Sequence, residues 1–361
     1  MIPGSRPPPQ PPPVPSCGDS SGGSFTLLHP DIIRAHILSR LDGPSLASAA
    51  SSSSQLRTIC SVDELWRDIC ASTWPSTTNP SLHDLISTFP LGFRSFYSDS
   101  YPILHLPSIP SGPLAPSLKM PSKLISAIDI FYAGDLLFSK VQETETSIPR
   151  FMFTTFQIDL LEPKESIKTP IPYASQSVEN MIRHLEENLT LNWILVDPTY
   201  KRAVNLPSPQ PVSVCRDWLY LGVAQLQFSS FLGGDHEESE FVECRPTLVC
   251  RRGVDGRMEV VEVSMRMEDI EGRGLSGKSS LVILAEAMEG EKRSLKVRRG
   301  AGGIGIAMKE RFEEFQEMKR KRRERRRRWE RAADMACIGV GIAIAMSFFL
   351  WLHGLFSCST S

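Results

Sequence analysis

Residues 335–352 run for eighteen positions without a charged side chain, and the apolar character continues across His353 and Gly354 to Phe356. As a helix rising 1.5 Å per residue, that stretch is about 33 Å long, enough to cross the hydrocarbon core of a bilayer. Directly before it, residues 319–331 hold ten basic against two acidic side chains. Such a flank stays on the cytosolic side, and Trp329 stands where an interfacial aromatic is expected. The pattern predicts a single transmembrane helix within 332–361, a tail anchor contacting membrane lipids through Met335, Ile338, Ile342, Ile344, Phe348, Phe349, Leu350 and Trp351. Everything before Met335 is then cytosolic, in a single-pass topology. Two plainer readings compete: a nuclear-localisation or nucleic-acid patch for the basic run, and a core helix for the apolar run, whose first half is diluted by Gly339 and Gly341. The abutment of the two runs favours the anchor, with no nucleic-acid partner.

Residues 301–331 are expected to form a basic amphipathic helix. The formal net charge of −1 hides this asymmetry: residues 309–331 contain twelve basic and six acidic side chains, so the remainder is acidic. Phe312, Phe315 and Met318 give the helix an apolar edge that suits packing on the preceding domain or lying on anionic lipid.

Residues 1–24 are rich in Pro, Ser and Gly, lack the basic start and apolar centre of a secretory signal, and are expected to be disordered. The proline run from Arg6 to Pro13 reads as a solvated spacer rather than a docking peptide. Residues 25–74 then carry a helical pattern. Pro30 suits a first helical position, where the missing N–H has no intrahelical acceptor. One helix is expected from Pro30 to Leu41, with Ile33, Ile37, Leu38 and Leu41 on a broad face and Ile32 off it. Asp42-Gly43-Pro44 stops it, a short helix carries Leu46, and the serines at 51–54 favour a break or an N-cap. Asp63 is placed to cap a last helix in which Leu65, Trp66 and Ile69 lie at contact spacing. So few residues rarely bury an independent core, so a partner or a neighbouring domain is implied.

The order Pro30-Asp31, Ile33, Ile37-Leu38, Leu41, Leu46 and Leu65-Trp66 resembles an F-box. The resemblance implies a module that docks on the SCF adaptor subunit, and through it on cullin, using Pro30, Ile33, Ile37, Leu38, Leu41, Leu46, Leu65 and Trp66. The rest of such a protein recruits a protein substrate, and the hydrophobic tail is similar to that of some plant F-box proteins. The sequence departs from the family where His29 replaces the usual leucine before proline, and where a serine run ending in Leu56 replaces Val-Ser-x-x-Trp.

Residues 75–121 read as a short helix followed by a proline-rich linker. From 122 to 300 short β-branched or aromatic runs suggest strands: 128–132, 151–156, 193–196, 220–228, 241–250 and 258–267. Gly253-Val254-Asp255-Gly256 is a hairpin loop between the last two. Helices are expected at 178–189, with Ile182, Leu185 and Leu189 on one face, and at 280–289. Together these predict an α+β, mostly antiparallel substrate-binding domain. The fold class is thus multidomain: an all-α module, this central domain, the basic helix and the transmembrane helix.

Little in the chain suggests catalysis or a cofactor. Gly272-Arg273-Gly274-Leu275-Ser276-Gly277-Lys278-Ser279 fits the phosphate-loop pattern, and Trp193 to Asp197 resembles the Asp-ended strand that holds magnesium in such enzymes. Too few residues follow the loop for the remaining parallel strands, so it is expected to be a Gly-rich turn with Lys278 solvated. The eight cysteines lie far apart without zinc spacing and read as reduced; Cys244 and Cys250 are expected on neighbouring strands. His236-Glu237-Glu238 is read as a polar loop. The expected function is a membrane-tethered, non-catalytic substrate receptor of an SCF-type ubiquitin ligase. A membrane scaffold without ligase recruitment is the alternative, and a nucleotide-binding protein ranks third.

Overall fold

The computed structural model describes residues 29–101, 120–173, 178–215, 222–234, 241–289 and 301–358. The expectations for 1–24, for most of the 101–121 linker, for Tyr220 and for His236-Glu237-Glu238 lie outside the described residues, as do the side chains of Phe349, Leu350 and Trp351. The chain forms two compact units, Met1–Leu65 and Trp66–Ser361.

In the first unit α1 (Pro30–His36), α2 (Gly43–Ser52) and α3 (Ser54–Cys60) are short and individually capped. His29 Nδ1 accepts the Asp31 amide at 3.3 Å, Asp42 Oδ1 the Ser45 amide at 3.0 Å, and Ser53 Oγ the Leu56 amide at 3.1 Å. Each cap satisfies an amide that the first turn of a helix leaves without a partner. The single helix expected over 30–41 is broken: α1 ends at His36, and Leu38–Arg40 forms a 3₁₀ turn. Five residues apart on a regular helix, Ile33 and Leu38 would point about 140° apart. The tightened turn brings both inward, and both are buried.

Helix α4 (Asp63–Thr73) begins in the first unit and continues into the second. There it is followed by a 3₁₀ turn (Pro75–Thr78), α5 (Pro80–Ser87) and α6 (Gly92–Ser100). Aromatic contacts join these helices: Trp66 to Tyr97 at 5.2 Å between ring centroids, Trp74 to Phe96 at 6.0 Å, and Phe89 to Phe96 at 5.9 Å. Their tilted and edge-on geometries suit the ring quadrupoles.

The strands and helices that follow are β1 (Lys123–Tyr132), β2 (Asp135–Glu145), α7 (Pro149–Phe153), β3 (Gln157–Asp159), β4 (Ile167–Pro172), α8 (Val178–Asn188), β5 (Leu189–Asp197), β6 (Arg202–Asn205), β7 (Ser213–Val214), β8 (Val223–Gln227), β9 (Ser230–Gly233), β10 (Phe241–Arg252), β11 (Arg257–Asp269), α9 (Gly277–Glu289) and α10 (Ala301–Cys358). One sheet has the order β2-β1-β5-β6. The other runs β3-β11-β10-β8-β7, with β4 also on β11 and β9 on β10. Pairing between the described strands is antiparallel, as expected. Ile128 and Ile130 of β1 and Trp193 of β5 share one core with Leu248 of β10 and Val260 and Met265 of β11, so both sheets contribute to it. The expected hairpin joins β10 to β11, with Gly256 at φ +76°, a left-handed value that glycine adopts without strain.

Several expectations need correction. Residues 151–156, read as a strand, begin inside α7, where Pro149 at the start presets helical φ. Leu189 opens β5 rather than closing α8, and α9 starts at Gly277 rather than Ser280. Cys244 and Cys250 lie on the same strand, β10, six residues apart and on one face. Both are buried, and burial pushes each thiol up to about 12.

Helix α10 is continuous from the basic run into the apolar one. Its apolar edge packs on the sheet domain: Phe315 is buried against Phe231 and Ile270, with ring centroids of Phe231 and Phe315 4.7 Å apart. Ion pairs flank this contact, Lys309 to Glu186 at 2.8 Å, Lys319 to Glu268 at 3.4 Å and Arg326 to Glu271 at 3.1 Å. Beyond them residues 327–348 are exposed, and the helix is long and apolar enough to cross a membrane.

The 3₁₀ turn after α4 is fastened to β1 by a buried carboxylate. Asp129 Oδ1 accepts the Ser76 amide at 2.8 Å and the Ser139 hydroxyl at 2.7 Å, while Oδ2 accepts the Ser76 hydroxyl at 2.6 Å. Burial raises the Asp129 carboxyl above its ordinary range, and the three donors only partly offset this. The folded protein therefore holds a proton at a pH where the unfolded chain has released it, so this contribution to stability falls as pH rises from the usual carboxylate value through the raised one. Asp129→Ala should destabilise the full chain by ~2–4 kcal/mol by leaving buried donors unpaired. Asp129→Asn should cost less and remove that pH-dependent component. Urea denaturation in detergent across a pH series checks both; unchanged pH dependence in the Asn variant would refute the assignment.

Candidate functional site

Among its described residues the first unit presents little apolar surface, and what it presents is local. Ile33, Leu38, Leu46 and Leu65 are buried, as is Trp66 at the start of the second unit. Ile37 and Leu41 are half-buried, and Pro30 is exposed. Ile32 is 46% exposed on α1, off the buried face as its position predicts, and it is not among the expected contact residues. Its signal was available in the sequence: it lies about 100° around the helix from Ile33. The apolar side chains that α1 leaves exposed are thus Pro30 and Ile32, while Ile37 and Leu41, half-buried, follow it in the chain. Charge surrounds the exposed pair, Arg34 lying 3.7 Å from both Asp31 and Glu64.

The phosphate-loop match resolves differently. Residues 270–276 link β11 to α9, and the amides that such a loop turns toward phosphate are used internally. Gly272 and Arg273 donate to the Asp269 carbonyl and carboxylate, Leu275 to the Met267 carbonyl, and Gly277 to the Thr154 carbonyl. Glycine serves close packing here, because a Cβ on Gly277 would stand 2.1 Å from the Phe151 carbonyl oxygen and one on Gly274 would stand 2.4 Å from Thr155 Cγ2. Lys278 is exposed. Asp197, the magnesium-like residue, caps a turn by accepting the Thr199 amide at 2.8 Å and the Tyr200 amide at 3.1 Å. Burial raises its carboxyl. Both features are accounted for as turn architecture.

Comparison with known proteins gives the remaining definition. Residues 30–72 match the F-box-like family model. The chain is 40% identical over 343 residues to the F-box protein At2g27310 of Arabidopsis thaliana, covering 92% of this chain and 96% of that one. It is 44% identical over 297 residues to the Arabidopsis thaliana F-box protein At3g44326, covering 80% and 78%. It is 38% identical over 330 residues to the probable F-box protein At2g36090 of the same plant, covering 91% and 94%. No solved structure matches it. The chain belongs to the F-box protein family. F-box domains bind the adaptor subunit of cullin-based SCF complexes, and F-box proteins generally serve these ligases as substrate receptors, typically without catalysis of their own.

If the loop is architecture, its glycine should matter more than its lysine. Gly277→Ala should destabilise the protein by about 1–3 kcal/mol through the forced backbone shift, and Lys278→Ala by less than about 0.5 kcal/mol. Thermal melts of the two variants test this; the reverse order, or nucleotide binding abolished by Lys278→Ala, would restore the phosphate-loop reading.

Proposed function

We propose that this chain is the substrate-recognition subunit of an SCF-type ubiquitin ligase held on a membrane surface. The carrying observation is the F-box-like match over 30–72 in a chain that aligns along most of its length with F-box proteins. Pro30 and Ile32, together with the half-buried Ile37 and Leu41, dock on the adaptor, while Ile33, Leu38, Leu46 and Leu65 hold the helices that present them and Trp66 packs on Tyr97. Residues 122–300 recruit a protein substrate, 301–331 join that domain to the anchor, and 332–361 carry the span. The mechanism is proximity: a bound target gains effective concentration near the charged conjugating enzyme, and the anchor restricts targets to the bilayer surface.

The uncharged run after ten basic residues supports the anchor, and the exposed side chains of its described part, residues 335–348, suit a lipid surround. Ile32→Asp should weaken adaptor binding by roughly tenfold or more while leaving the melting temperature unchanged, since the residue faces outward. Leu65→Ala with Trp66→Ala should lower both, because those side chains are buried. Pull-down of the full chain beside an established F-box protein measures the first; capture of the adaptor by that protein but not by this chain would defeat the ligase reading. The membrane arm has its own check, as the protein should stay in the pellet after alkaline carbonate and leave it only with detergent. Release by carbonate alone removes the anchor.

A further inference from the structure

Phe153 is 80% exposed, an unusual position for a phenylalanine, and Ile148, five residues earlier, is 40% exposed. Ile148 is the residue before the short α7 and Phe153 is its last, and Arg150 within it is also exposed. This turn is stitched to the 270–276 loop: Thr155 bridges Ser276, the Phe156 amide donates to the Leu275 carbonyl at 2.8 Å, and the Gly277 amide donates to the Thr154 carbonyl at 2.9 Å. The same loop meets α10, since Glu271 pairs with Arg326 at 3.1 Å and Gly272 lies against Lys319 and Arg323.

Counting along α10 gives this corner a height. Arg326 is nine residues from Met335, where the uncharged run starts, which is about 13 Å of helix. The headgroup layer occupies about 6 Å of that, leaving a gap of one long side chain. Trp329, 76% exposed, stands one turn further toward the span. Of the sheet domain, the loop at Glu271 pairs with α10 nearer the span than Glu268 or Glu186 does.

We propose that α7, the 270–276 loop and the first turn of α9 form a second membrane contact, with Phe153 and Ile148 entering the interface and Arg150 and Lys278 meeting anionic headgroups. This rests on the anchor reading of 332–361. An aromatic beside basic groups is the chemistry that an anionic bilayer surface retains. Continuity of α10 from the loop contact into the apolar run supplies the geometry. The contact gives the exposed phenylalanine a partner and holds the sheet domain against the bilayer at a second point.

A built-in comparison exists at Val254, fully exposed at the β10–β11 hairpin tip. It lies at the opposite end of the thirteen-residue β11 from Asp269, about 40 Å along the strand. An environment-sensitive fluorescent amino acid is placed at 153 or at 254 of the full chain, which is reconstituted in phosphatidylcholine vesicles with or without phosphatidylserine. Both sites are exposed, so neither replacement empties the core. In phosphatidylserine vesicles the probe at 153 should emit to the blue and be quenched by iodide roughly fivefold less than the probe at 254. Carbonate-resistant flotation with equal quenching at the two positions overturns this contact and leaves the anchor intact. Loss of flotation overturns both. For the unmodified chain, amide exchange across 149–156 should slow in phosphatidylserine vesicles relative to neutral ones, and unchanged exchange counts against the proposal in the same way.

Discussion

Glu243 and Glu268 stand directly opposite each other on β10 and β11, and much of the second unit is arranged around that pairing. Like charges in register repel, and a buried carboxylate is costly unless it is neutralised and hydrogen-bonded. Glu243 is fully buried and accepts from Gln227 and Ser229 at 2.7 Å and from Arg245 at 2.8 Å. Arg245 also reaches Glu268 at 2.9 Å, so one guanidinium spans both acids. Burial works against the Arg245 charge, yet Glu243 and then Glu268 hold its pKa above the ordinary value. Lys319 brings a further cation from α10. The C-terminal helix is therefore part of the charge balance of the sheet and not an appendage to it.

The smaller sheet is covered in a different way. One face of β1, with Leu124, Ile128 and Ile130, belongs to the shared core. The other face carries Asp129 and receives the 3₁₀ turn after α4. At the far edge Asp99 of α6 accepts the Ala203 amide of β6 at 3.3 Å and lies 3.6 Å from Arg202. Helices that continue from the F-box-like match thus become the outer layer of the sheet domain. The packing there is aromatic, and the fastenings are carboxylates.

What the sequence disclosed and withheld follows from the range of the forces involved. The β10–β11 hairpin was legible because alternation on both sides and a Gly-flanked loop are local signals. Helix α7 was misread because Phe151, Met152 and Phe153 look strand-like, and the deciding residue was Pro149 just before them. Strand β2, an edge with Lys140, Gln142, Glu143 and Glu145, has no clean apolar alternation and left no pattern to find. Among the candidate docking residues, the apolar period marks a helix starting at Pro30 but neither its end at His36 nor which members face inward. That depends on the 3₁₀ turn at Leu38–Arg40, which sets Leu38 beside Ile33 in burial. The Ser76–Asp129 fastening joins residues 53 apart, and the Glu243–Arg245–Glu268 cluster depends on strand register, so neither has a signature in the linear chain.

Helix α10 contains no proline over its 58 residues, and three ion pairs and a buried phenylalanine clamp its first half to the sheet domain. Its apolar half is therefore in fixed screw phase with that domain. Each residue between Arg326 and Met335 contributes about 100° of rotation and 1.5 Å of rise. A one-residue insertion there would leave every local contact intact, yet turn the sheet domain about a quarter of a revolution relative to whatever grips the apolar end. The length of the connection between charge clamp and apolar run thus encodes a direction as well as a distance.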